Sequence, residues 1–189
     1  MGIFDALRGG GRKLKMPAED RLFAMSTAQV TIESLGITHK PVAGIAFQSL
    51  ATADFKEIVA DTQELLQSSA KDTGSRVDTS TDDYGYQWVI LHDDDFDDLV
   101  VSLNTVSSSL ETGGYGDRVL AAVFSFAEEG RPIYFIYNYR RGYWYPFVPA
   151  PGDKQRNNER ELQLKAQIGA DLPWEPELTR WFPLWDLPL

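Results

Sequence analysis

The stretch IYFIYNYRRGYWYPFVP, Ile133 to Pro149, decides how this chain is read. Aromatic residues crowd it and two arginines sit at its middle, so it is either a base-stacking surface or the centre of a sheet. Alternation favours the sheet. Ile133, Phe135, Tyr137 and Tyr139 point one way along a strand, and Tyr134, Ile136 and Asn138 point the other. Both faces are apolar, as in a strand covered on both sides. Arg140, Arg141 and Gly142 make a tight turn, Gly142 supplying the positive φ of a three-residue hairpin with a bulge. Tyr143, Tyr145 and Phe147 then resume the alternation against Trp144 and Val148.

The competing reading rests on Arg141 to Val148, which resembles the first ribonucleoprotein signature of RNA-recognition domains. Trp144 stands where that signature needs a small residue and Pro146 where it needs an aliphatic one. The segment also falls in the sixth expected strand instead of the third. A net charge of -10 further opposes contact with nucleic acid.

Working outward, Glu19 to Leu35 reads as a helix with Leu22, Phe23, Val30 and Ile32 as apolar positions and Gly36 as its stop. Val42 opens a buried-type strand. Thr52 stands where a cap belongs before a helix carrying Phe55, Ile58, Val59, Thr62, Leu65 and Leu66 at helical spacing. Two strands follow, SRVDTST and YGYQWVILH, with Asp82, Asp83 and Gly85 at the turn between them. Phe96, Leu99, Val100, Leu103, Val106 and Leu110 mark a further helix, ended at Gly113 and Gly114. RVLAAVFSF is the next strand, and RNNERELQLKAQIG after the hairpin returns to helix.

From Val42 to Phe126 the order is therefore βαββαβ, the split arrangement of ferredoxin-like domains. The expected fold is α+β: this unit, a preceding helix, and an added C-terminal hairpin and helices. The alternative is a secretion-chaperone-like α+β fold, which differs in strand pairing. Residues 1–17 are set apart as a basic arm, leaving residues 18–189 as one domain. In the aromatic tail, Trp174, Leu178, Trp181, Phe182 and Trp185 carry too much apolar surface to stay in water. The tail is expected to pack on its own domain, with a short helix beginning near Glu177.

The 189 residues contain no cysteine, which removes disulfides and thiolate chemistry together. No secretory h-region and no run of about 20 apolar residues is present. The expectation is a cytoplasmic protein touching a membrane only peripherally. The arm is the segment suited to that contact: Ile3, Phe4 and Leu7 share a helical face beside Arg8, Arg12, Lys13 and Lys15. His39 and His92, the 2 histidines, fall in different elements and outside any zinc-protease frame. The acidic run Asp93, Asp94, Asp95, Asp97 and Asp98 lacks the glycine and glutamate of a calcium loop, and aspartates belong at a helix N-terminus in any case. No catalytic residue, metal site or cofactor is assigned. One candidate ligand or partner surface remains. If the two Tyr-Gly turns meet at one edge of the sheet, Asp83, Tyr84, Tyr115 and Asp117 line it with Arg141.

Several phrases taken together carry a family resemblance: MGIFDAL, DDYGYQWVIL, LETGGYGDRVLAAVF, IYNYRRGYWYPFVP and NNERELQLKAQIGADLPWEPELTRWFPLWD. They resemble the PspA-associated protein PspAB of actinobacteria and related groups, over essentially the whole chain. The resemblance implies association with phage-shock protein A, a coiled-coil membrane-remodelling protein, and with the HtpX membrane metalloprotease. It implies no catalytic residue. The function expected is that of a non-enzymatic adaptor in an envelope-stress system. The alternative is a small-ligand-binding protein or enzyme using the Tyr-Gly turns and Arg141.

Overall fold

The computed structural model describes residues 20–189. The basic arm lies outside the described residues. Helix α1 spans Asp20–Ser34, strand β1 Thr38–Gln48, helix α2 Ala53–Thr73, β2 Arg76–Thr81 and β3 Tyr86–His92. Helix α3 covers Phe96–Thr112, followed by β4 (Val119–Glu128), β5 (Arg131–Asn138) and β6 (Tyr143–Phe147). A two-residue pair, β7 (Pro149–Ala150) with β8 (Gln155–Arg156), precedes helix α4 (Asn158–Ile168).

The main sheet has the order β2-β3-β1-β4-β5-β6. Every neighbouring pair is antiparallel. Its first four strands carry the ferredoxin-like pairing, with β1 between β3 and β4, so the strand order selects the split βαββαβ fold over the chaperone-like alternative. The hairpin β5–β6 widens that sheet beyond β4.

Alternation along the strands divides the core into two layers. Ile45, Phe47, Val89, Leu91, Phe124, Phe135, Tyr137 and Trp144 face the helices. Ala46, Trp88, Ile90, Val123, Ile136, Tyr145 and Phe147 face the other way, onto Trp181 and Leu184 of the C-terminal tail. β5 pairs Tyr137 with Trp144 and Tyr134 with Phe147, so two aromatic pairs of the hairpin meet across the strands, each on its own face. The Tyr134 and Phe147 rings stack at 6.1 Å, and Tyr137 and Trp144 approach to 5.0 Å. The crowding of Ile133–Pro149 is thus the packing of a sheet covered on both sides.

The turn differs from expectation in length. Asn138 pairs with Tyr143, so the loop has four residues, Tyr139 to Gly142. The Asn138 side-chain oxygen accepts from the Arg140 and Arg141 backbone N–H groups, at 3.1 and 3.2 Å. Its backbone carbonyl accepts from Gly142 at 2.7 Å. Gly142 has φ +69°. Gly142→Val should lower stability by about 1–2 kcal/mol, since a β-branched residue resists that region. A melting temperature equal to that of the unsubstituted protein would contradict this.

Three positions read as apolar anchors are exposed. Val30 is 70% exposed, Leu65 55% and Leu178 51%. In α1 the inward stripe is Leu22, Met25, Ala28 and Ile32, all buried, and Val30 falls outside that spacing. Thr52 occupies the N-cap position of α2 but makes no capping bond with its side chain. In α3, by contrast, Asp95 caps as aspartate should, accepting from the N–H groups of Asp97 and Asp98.

The tail is tied down by charge as well as by apolar contact. Trp144 donates its backbone N–H to the Pro173 carbonyl and accepts from the Glu175 N–H, both at 2.8 Å, which closes the outer edge of β6. Glu175, 2% exposed, holds Arg141 in a two-bonded pair at 2.8 and 2.9 Å. Arg156 donates to the Trp181 carbonyl at 2.6 Å while gripping Glu161, itself 1% exposed, at 2.7 Å. Gly44 faces the end of the tail: a Cβ there would sit 2.8 Å from the Leu189 side chain and 3.3 Å from the Trp88 ring. Glycine at that point lets the tail lie close on β1. The short helix of the tail is a single turn, Leu178–Arg180.

Candidate interaction site

The residues singled out in the Tyr-Gly turns and at Arg141 all lie at one end of the sheet. The pairings Gln48 with Tyr86, Phe47 with Val119, and Asn138 with Tyr143 put the 82–85 turn, the 115–118 segment and the 139–142 loop at that end. They are spread along it, however. Four strand spacings separate the β2–β3 turn from the β5–β6 loop, roughly 19 Å.

Each has its own local bonding. Asp82, neighbour to Asp83, accepts from the N–H groups of Tyr84 and Tyr86 and from the Trp88 indole, at 3.0, 2.9 and 3.1 Å. That network shapes the turn and leaves Asp83 exposed and Tyr84 52% exposed. The Tyr115 hydroxyl donates to Asp54, and its ring meets Phe55 edge-on at 5.1 Å. The bond draws the Asp54 carboxyl below its usual range and raises the Tyr115 hydroxyl above its own. Asp117 lies 3.7 Å from Arg118, and its carbonyl accepts from Arg140. Arg141 is committed to Glu175, with Glu177 at 3.6 Å. The structure therefore gathers these residues at one end without joining them into one surface around Arg141.

The histidines are likewise engaged. His39 contacts Glu33 at 2.8 Å and packs edge-on to Phe96. His92 contacts Asp78 at 3.1 Å and Arg76 at 2.9 Å. Among the described residues no group of three or more histidine, aspartate or glutamate side chains is placed to hold a metal ion.

A different feature stands out at the opposite end of the sheet. Between the second half of α2, the first half of α3 and strands β2 and β3 lies a cleft of about 220 Å³. Leu66, Ala70, Val77, Leu91 and Leu99 form its apolar wall, and Leu65 and Val101, 55% and 51% exposed, stand at its rim. Asp93 and Asp98 line it where the acidic run enters α3. Asp93 accepts from the Ser75 hydroxyl and from the Asp95 N–H. Asp98 is pushed above the usual carboxylate range by desolvation and by the neighbouring charges of Asp93, Asp95 and Asp97. Among the described residues no cation forms an ion pair with any of the five aspartates of the run. Sequence reading missed this cleft because its walls come from four separate elements. The acidic run was its one visible sign.

The fold and this cleft define an α+β protein that presents a groove between two helices. The chain belongs to the PspA associated protein B family, PspAB, whose family model matches residues 1–189, the whole chain. No curated protein and no solved structure matches it. The family ties the protein to the PspA system. Among the described residues no helix is long and apolar enough to cross a membrane.

Proposed function

We propose that the protein is a non-enzymatic adaptor of a bacterial membrane-stress system, acting on the cytoplasmic side by binding PspA. The observation that carries this is the family match over the whole chain. Two features support it. The side chains most suited to chemistry, both histidines, Arg141 and Tyr115, are bonded within the fold. The α2–α3 cleft is open, and Leu65 and Val101 stand exposed beside its apolar wall, where another protein could cover them. HtpX is the second proposed partner. The test is co-purification from cells under envelope stress: PspA should be retained with the tagged protein, and its absence from the bound fraction would overturn the reading.

The arm, Ile3 to Lys15, is proposed as a peripheral membrane contact. Deleting residues 1–15 should leave the melting temperature unchanged and abolish sedimentation with anionic liposomes. Equal sedimentation of truncated and full-length protein would eliminate that role.

A further inference from the structure

The cleft between α2 and α3 combines an apolar trough with a run of aspartates at one end that, among the described residues, form no ion pair with a cation. From this we propose that it receives an amphipathic helix of a partner protein, one that carries basic side chains beside its apolar stripe. The proposal rests on the interaction reading above and specifies where and by what chemistry the contact is made.

Three observations carry it. First, Leu65 and Val101 stand on the two helices that flank the trough and are more than half exposed, while the leucines beneath them are buried. A third helix laid between them would cover both rims, which is how helix-in-groove recognition buries its anchors. Second, Asp93 and Asp98 line the trough, with Asp94, Asp95 and Asp97 in the same run and no cation paired with any of them among the described residues. A basic residue on the incoming helix supplies the missing charge, and an acidic one is repelled. Third, the opposite face of the sheet and the outer edge of β6 are already occupied by the tail. The trough is thus an apolar surface that the described chain leaves open.

The experiment uses the full-length protein and a synthetic helix of about 18 residues with leucines at helical spacing and lysines flanking them, followed by fluorescence anisotropy. A matched peptide with glutamate replacing lysine is the comparison. The lysine peptide should bind saturably, and the glutamate peptide about tenfold or more weakly. Leu65→Asp, Val101→Asp and the pair Asp93→Asn with Asp98→Asn should each weaken the lysine peptide by about tenfold. Val30→Asp, which adds the same charge to an exposed position on α1, should not weaken it. Binding by the cleft variants as strong as that of the Val30 variant would place the contact outside the trough and overturn the proposal, as would failure of the lysine peptide to bind. Loss of self-association in the Leu65→Asp protein, with no effect on the peptide, would assign the trough to a second copy of the chain instead. Because the peptide is not PspA, these outcomes stand apart from whether PspA binds at all.

Discussion

Removing residues 174–189 should cost about 5 kcal/mol or more and leave a chain without a cooperative melting transition under physiological conditions. The tail supplies Trp181 and Leu184, both buried, and partly buried Phe182, Trp185, Leu187 and Leu189 against the second face of the sheet. Fully burying one such side chain is worth about 1.5–3 kcal/mol, and the whole stability of a domain is about 5–15 kcal/mol. Truncation would also uncover Trp88, Ile90, Val123, Ile136 and Tyr145 on a broad sheet, so aggregation should accompany unfolding. Circular dichroism on heating measures the first effect and light scattering the second. A truncated chain melting within a degree or two of the full chain would show that the tail is dispensable, and would make it the leading partner-binding segment.

The second large effect is expected at Arg156. Its guanidinium meets Glu161 through three contacts of 2.7 to 3.1 Å, and the Val148 N–H donates to the same carboxylate at 2.9 Å. The Glu161 side chain is 2% exposed and that of Arg156 19%. Burial pushes the Glu161 carboxyl above its usual range despite the opposing pull of Arg156 and the Val148 N–H. Arg156→Met removes the pull and strands a buried carboxylate, which should cost about 3–5 kcal/mol at neutral pH.

The pH dependence has a definite sign. An acid whose folded-state value lies above its unfolded value binds more protons folded than unfolded, so its penalty is relieved as pH falls. In Arg156→Met, stability should therefore rise from pH 7 toward pH 5, and denaturant unfolding at the two pH values measures it. The double substitution Arg156→Met with Glu161→Leu should recover most of the loss, because it leaves no buried charge unpaired. If Arg156→Met alone melts like the original protein, the pair is not a structural tie.

How far this architecture could be read from the sequence follows from the range of each interaction. The βαββαβ order was legible because it is written in local periodicity: alternation in YGYQWVILH, and helical spacing from Phe96 to Leu110. Turn chemistry at Gly142 is local too, and its positive φ was readable, although the loop is one residue longer than its sequence suggests. Exposure was less legible. Leu65 is apolar like its neighbour, but the buried stripe of α2 runs through Phe55, Thr62, Leu66 and Ala70, so Leu66 enters the core and Leu65, one position off that stripe, stays at the surface. The buried glutamates were hidden altogether. Glu161 lies in a segment of polar helix, and Glu175 is 34 residues from the arginine it binds. The Tyr-Gly turns do share one end of the sheet, yet the strands between the β2–β3 turn and Arg141 set them apart. A strand order is needed to see that.

Binding of purified PspA to the purified full-length protein, followed by isothermal titration calorimetry with unsubstituted and Leu65→Asp forms side by side, tests the adaptor reading most directly. A saturable complex is expected with the unsubstituted chain, and Leu65→Asp should weaken it by about tenfold. Absence of any complex between the two purified proteins would contradict it.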